Sequence, residues 1–184
     1  MNYGEVKEFD IANGVGVRVS LFVAGCRHRC EGCFNPGMWQ FGSGRPFDAD
    51  AEDMVMHALE SPVVRGLSVL GGEPLEPENQ RPVLSLLRRV RRELPRKDVW
   101  LWTGFVLDDL LSGGSRADTD VLMDVLGEVD VLVDGPFVLQ RRDLTLRFRG
   151  SGNQRVIDLR RTLSEGHVVP WSDGAVLGSR RWTI

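Results

Sequence analysis

Cysteine is scarce in this 184-residue chain: Cys26, Cys30 and Cys33 are the only three, all within AGCRHRCEGCFNP at 24–36. Three thiols cannot all pair inside one chain, so a disulfide framework is not expected. No apolar run approaches the roughly 20 residues that cross a bilayer, so no membrane span is expected. The opening MNYGEVKEFD has neither the basic start nor the apolar stretch of a secretory signal, which makes the cytoplasm the expected address. Charge of one sign is not in excess either. A net charge of −3 gives no reason to expect nucleic acid or a membrane surface as partner. Internal repeats and low-complexity linkers are also missing. With 42% apolar and 27% charged residues, the chain reads as one globular domain with a sizeable core.

What is present alternates between strand and helix. VRVSLFV (17–23) is apolar and β-branched, a buried strand. Asp48 or Asp50 can cap a helix that carries Met54, Val55, Ala58 and Leu59 on one face. GLSVL (66–70) is a second strand. Pro82 suits the first turn of a helix whose Val83, Leu84, Leu87, Val90 and Leu94 form an apolar stripe. Its other face, with Arg88, Arg89, Arg91 and Arg92, reads as solvated. VWLW (99–102) is the third strand, helical stretches follow around 107–111 and 119–126, and VDVLVDG (129–135) holds the fourth strand. This alternation predicts an α/β fold with a parallel sheet and right-handed crossovers.

The unusual loops fall in register with that scheme. The cysteine loop follows the first strand, GGEP (71–74) the second, TGF (103–105) the third and DGPF (134–137) the fourth. All four lie at carboxyl ends of parallel strands, the edge where such folds build their sites.

The cysteine spacing is Cys-x3-Cys-x2-Cys, which leaves two metal chemistries open. Zinc held by the three cysteines and His28 is one. The other is a cubane iron–sulfur cluster, in which three cysteines leave one iron open to a further ligand. In GGEP, Gly71 and Gly72 permit close approach to the backbone, and Glu73 is suited to receive an ammonium group.

Taken together, these motifs resemble the radical S-adenosylmethionine superfamily, and within it the activating proteins of anaerobic (class III) ribonucleotide reductases. The resemblance runs from about residue 3 to 158 through NGVGVRVSLFVAGC, CEGCFNP, SVLGGEPLEPEN, VWLWTGF, VLVDGPF and RGSGNQRVID. It implies a partial, open β/α barrel in which Cys26, Cys30 and Cys33 hold a [4Fe–4S] cluster. It further implies that S-adenosylmethionine chelates the fourth iron, with Gly71, Gly72 and Glu73 steadying its amino group and Thr103 and Gly104 meeting the rest. One electron from a donor such as flavodoxin would then cleave the sulfonium. The resulting 5′-deoxyadenosyl radical would take a hydrogen atom from a glycine of the large reductase subunit. Many superfamily members carry an aromatic residue before the third cysteine; here that place is Gly32, and the aromatic, Phe34, follows. Phe34 is expected either against the adenine or in the core.

Other features stay open. Asp134 suits either a ribose hydroxyl or a turn, and Asn153 and Gln154 match the family string without an assigned role. The arginines at 141, 142, 147, 149, 155, 160 and 161 form either a docking surface or a solvated one. Residues 159–184 are expected as a C-terminal extension of the 1–158 core, with a hairpin about Ser172-Asp173-Gly174. The alternative to an activase is a radical enzyme acting on a small molecule, as 7-carboxy-7-deazaguanine synthase or a biosynthetic tailoring enzyme does. A non-catalytic zinc module is the third reading.

Overall fold

The computed structural model of the chain describes residues 1–172. Its frame is one seven-stranded sheet, ordered β3-β1-β2-β4-β5-β6-β7. The expected strands are β2 (Val17–Val23), β4 (Val64–Gly71), β5 (Asp98–Trp102) and β6 (Val131–Asp134), and they pair in parallel. Three strands were not anticipated. β1 (Asn2–Asp10) runs antiparallel to β2, the short β3 (Arg45–Pro46) pairs with β1, and β7 (Arg155–Asp158) runs antiparallel to β6. The sheet is therefore mixed, parallel only in its middle, and its two ends do not meet: an open partial barrel. β1 escapes sequence detection because Glu5, Lys7 and Glu8 give it the polar composition of a half-exposed flanking strand.

The helices cover one face. α1 (Ala49–Glu60) begins at Asp48, whose carboxylate accepts a hydrogen bond from Ala51 N at 3.0 Å, and it buries Val55 and Leu59. α2 (Pro77–Glu93) starts a turn earlier than the stripe suggested. Pro77, not Pro82, occupies the opening turn, and Pro82 lies inside the helix. α3 (Leu107–Ser112) and α4 (Leu122–Gly127) complete the layer before β6. The arginine face of α2 is a network of ion pairs, Arg88 with Asp124, Arg89 with Glu52, Asp53 and Glu93, and Arg91 with Asp130.

Strand alternation sorts the sheet's two faces. Val19, Leu21, Val23, Leu67, Val69, Val99, Leu101 and Leu132 point to the helices and form the main core. The intervening residues, Arg18, Ser20 and Phe22 on β2, Ser68 and Leu70 on β4, Trp100 and Trp102 on β5, point to the concave side. There Trp100 packs with Trp102, Phe148 and Trp171 at centroid distances of 5.7, 5.1 and 5.0 Å. Trp171 reaches this cluster from the C-terminal segment. Asp158 caps α5 (Leu159–Glu165), and the chain then returns beside β7, with Asp158 N bonded to Val169 O and Trp171 N to Val156 O. Residues 159–172 are thus a helix and a return segment packed on the barrel, and the expected hairpin about Ser172-Asp173-Gly174 lies outside the described residues.

Below the aromatic cluster sits a fully buried cation. Arg18 pairs with Asp98 at 2.6 Å and donates to Ser68 Oγ at 2.6 Å and Leu67 O at 2.8 Å, with its guanidinium over the Trp100 ring. Ser68 in turn donates to Asn13 O, so the 11–16 loop is stapled under the barrel. Gly14 is required there: its φ is +110°, and a Cβ would stand 2.7 Å from Arg18 Cδ. Arg18→Ala takes the buried guanidinium from Ser68 and Asp98, and Asp98 keeps its pair with Arg65 at 2.9 Å. It is expected to lower stability by about 2–3 kcal/mol, read from urea denaturation curves followed by tryptophan fluorescence.

Candidate functional site

The site is built from strand ends. β2 runs out into the cysteine loop, whose return is fixed by Gly25 N to Met38 O and Cys26 N to Trp39 O. Gly25 has φ +90° and lies so close to Phe41 that a Cβ would meet the ring at 2.2 Å. Cys30 to Cys33 is a tight turn closed by Cys33 N to Cys30 O at 3.1 Å, and Asn35 N points at Cys33 Sγ at 3.4 Å. Gly32 in this turn has φ +69° and abuts Leu139, which accounts physically for glycine at the position before the third cysteine.

The Gly-Gly-Glu-Pro turn is laced to this loop. Gly72 N donates to Val23 O and Glu73 N to Gly25 O. A Cβ on Gly71 would stand 2.8 Å from the Phe22 backbone, and one on Gly72 would stand 2.6 Å from Gly25 O. The close approach these glycines allow is therefore that of the neighbouring strand end. Glu73 is 1% exposed. Its Oε1 accepts from Leu75 N and Thr103 Oγ1 at 2.9 and 2.8 Å, and its Oε2 accepts from Gly104 N at 2.7 Å. His28 Nε2 lies 3.1 Å from the same Oε2, and the His28 ring stands edge-on to Phe105.

Asp134 has a parallel task one strand on. Its carboxylate accepts from Leu107 N at the start of α3 and from the Arg155 guanidinium, so it holds a turn and a helix start. Asn153 and Gln154 gain a role that their sequence context did not suggest. Asn153 Nδ2 donates to Pro136 O, and Gln154 Nε2 to Gly135 O. Gln154 Oε1 accepts from Gly150 N and Ser151 N. These two amides pin the 149–154 loop to the loop after β6.

Cys26, Cys30, Cys33, Phe34, Gly71, Gly72, Glu73, Thr103 and Gly104 all line one cavity of about 470 Å³ on the concave side, floored by Phe22, Leu70 and Trp102. Phe34 is 65% exposed at its mouth and edge-to-face with Phe137, which removes it from the core. Burial pushes the Cys26 thiol up to about 11, with the charge of Glu73 adding to it, and burial raises Cys30 as well. A bound metal centre that draws these sulfurs as thiolates must displace their protons. His28 is turned to Glu73. Among the described residues no three His, Cys, Asp or Glu side chains converge on the point that a single ion needs.

Some residues of the site escaped the motifs. Glu76, Asn79 and Gln80 are all buried at the start of α2. Asn79 Nδ2 donates to Ala24 O and Glu73 O, joining the cysteine loop to the Gly-Gly-Glu-Pro turn. Glu76 accepts from Arg27 N, and its carboxylate pairs with Arg27 and Arg116 at 2.8 and 3.0 Å. Their spacing ahead of Val83 and Leu87 continues the apolar stripe of α2, a legible sign that polar residues there face inward. Trp39 also lines the cavity, and its buried indole N–H has no hydrogen-bond partner among the described residues.

Burial raises the Glu76 carboxyl, but the hydrogen bonds from Arg116 and Arg27 outweigh it and hold the group below its usual 4.5. Its contribution to stability is therefore present above pH 4.5 and lost as pH falls through the lowered folded value. Glu76→Gln is expected to destabilise the protein at neutral pH by about 1.5–3 kcal/mol, because both arginines keep contact with solvent. The gap between variant and parent should narrow below pH 4.5 in a series of denaturation curves.

Comparison with known proteins agrees with this geometry. The family described as 4Fe-4S single cluster domain matches residues 12–157. The anaerobic ribonucleoside-triphosphate reductase-activating protein of Escherichia coli K12 is 43% identical over 87% of this chain and 100% of its own length. The protein of that name from Vibrio cholerae is 42% identical over 84% of this chain and 96% of its own. That from Enterobacteria phage T4 is 36% identical over 85% and 93%. A chain with this cavity, this cluster-domain match and relatives covered nearly end to end belongs to the anaerobic ribonucleoside-triphosphate reductase-activating protein family.

Proposed function

We propose that the protein is a radical S-adenosylmethionine activase that places a glycyl radical on an anaerobic ribonucleotide reductase. The observation that carries this reading is the meeting of three cysteines, the Gly-Gly-Glu-Pro turn and the Thr103–Gly104 turn in one cavity of about 470 Å³. The donor set fits a cubane: three thiols on one loop border the cavity and leave a position open for a further ligand. Cys26, Cys30 and Cys33 would hold the [4Fe–4S] cluster and leave one iron for the amino and carboxylate groups of S-adenosylmethionine. When bound, the cluster would supply one electron for breaking the sulfonium C–S bond of S-adenosylmethionine, the chemistry that leads to hydrogen removal from the partner's glycine.

The chain's own residues bind and orient. Gly71 and Gly72 bring the end of β4 to the cavity beside the cysteine loop. Glu73, with its oxygens already engaged by Leu75, Thr103 and Gly104, favours the cofactor's ammonium through its charge and through the shape it gives the turn. Thr103 and Gly104 line the wall that would receive the rest of the cofactor, and Phe34, exposed at the mouth, would pack against its adenine. The apolar floor of Phe22, Leu70 and Trp102 keeps water from the radical. The reductant would be a one-electron donor such as flavodoxin, in a reducing cytoplasm. Among the described residues no helix is long and apolar enough to cross a membrane.

Anaerobically reconstituted protein is expected to be brown and to bind about four irons per chain. With S-adenosylmethionine and dithionite it should release 5′-deoxyadenosine, and Cys26→Ala, Cys30→Ala and Cys33→Ala should each abolish that release. Mixing with the cognate reductase should give the electron paramagnetic resonance doublet of a glycyl radical. One zinc in a colourless protein would refute the cluster. Cleavage without a doublet, with a competent reductase, would favour a small-molecule substrate.

A further inference from the structure

The 138–150 segment, which follows β6, borders the cavity mouth and differs in charge from the rest of the molecule. The whole chain carries −3, yet these residues hold Arg141, Arg142, Arg147 and Arg149 against Asp143 alone. Just beyond the segment three arginines are ion-paired: Arg155 to Asp134 and Asp108, Arg160 to Asp130, Arg161 to Glu165. Arg141 and Arg142 are exposed and, among the described residues, neither forms an ion pair. Arg149 donates to a carbonyl, Gln154 O, and Arg142 lies over the Phe34 ring at 5.5 Å. The nearest acid on the cysteine loop, Glu31, faces Gln140 at 3.5 Å.

The same rim exposes apolar surface. Leu144 is 78% exposed and Phe34 65%, and both border the cavity. Large apolar side chains left in water beside Arg141 and Arg142 are the composition of an interface, not of a solvated face. The rim is also held in shape before any partner arrives. Gly152 N bonds Arg141 O, Val138 N bonds Ser151 Oγ, and Gln154 fixes Gly150 and Ser151.

We infer that the rim made by Phe34 and residues 138–150, centred on Arg141, Arg142 and Leu144, is the docking surface for an acidic segment of the protein whose glycine enters the cavity. The inference rests on the activase reading and adds the chemistry of the partner's contact. A cavity of about 470 Å³ that must also hold the cofactor admits only a narrow loop of a protein substrate, so the flanks of that loop lie on the rim. Carboxylates on those flanks meet the arginines, and an apolar residue beside the glycine covers Phe34 and Leu144.

The test uses the full reconstituted protein and its cognate reductase. Arg141→Glu/Arg142→Glu should leave partner-free release of 5′-deoxyadenosine unchanged. It should raise the reductase concentration that half-saturates glycyl-radical formation by roughly tenfold or more at low salt, with the gap closing as salt screens the rim. Arg141→Lys/Arg142→Lys keeps the charge and should stay within about twofold of the parent. Equal half-saturation and equal salt dependence for parent and charge-reversed protein would overturn the docking surface while leaving the activase intact. Absence of the doublet from the parent protein would remove the activase reading, and the docking surface with it.

Discussion

The site depends on one buried carboxylate. Glu73 follows the end of β4 with both oxygens turned to the next strand's loop, where Thr103 Oγ1 and Gly104 N donate to them. A buried anion tolerates no unfilled geometry, because the cost of leaving it without donors exceeds the worth of any single hydrogen bond. The end of β5 is therefore held in register with the end of β4. The backbone N–H of Glu73 reaches the other way to Gly25 O, which extends the register to the cysteine loop.

Comparable devices repeat around the rim. Asn79 ties the cysteine loop to the Glu73 turn, Glu76 ties it to Arg116 before α4, Asp134 ties the end of β6 to α3 and β7, and Gln154 closes the series. Each uses a polar side chain at a strand end or helix start, where backbone groups lack ladder partners. Loops that would be mobile on a bare scaffold become a preorganised wall, which is what a site handling a radical requires.

Behind that wall the sheet serves two masters. Its outer face is apolar and covered by helices, whereas its concave face changes character along the strands. Arg18, Ser68 and Asp98 close the amino-terminal end, Trp100 and its aromatic neighbours fill the middle, and Phe22, Leu70 and Trp102 floor the cavity. Arginine likewise has two uses. On α2 it knits helices together through carboxylates, and beside the cavity mouth Arg141 and Arg142 stand without such partners among the described residues.

Periodicity and spacing alone determined the four parallel strands, the helices between them and the order of the special loops. Strand hydrophobicity and helix stripes are local signals, and a parallel alternation puts every such loop on one edge. That Cys26, Cys30, Cys33, Gly71, Gly72, Glu73, Thr103 and Gly104 meet on one edge was legible for that reason. What only the tertiary structure decided is where pairing is not local. β1 and β7 run antiparallel at or near the sheet's ends, where a polar or short strand has no distinctive period. Glu73 is engaged by Thr103 and Gly104, thirty and thirty-one residues away. Phe34 stands at a mouth, not in a core, and His28 faces the Glu73 carboxylate. A residue's type announces that it must be satisfied when buried; which partner satisfies it is set by the chain folding back, and that is written in no single stretch.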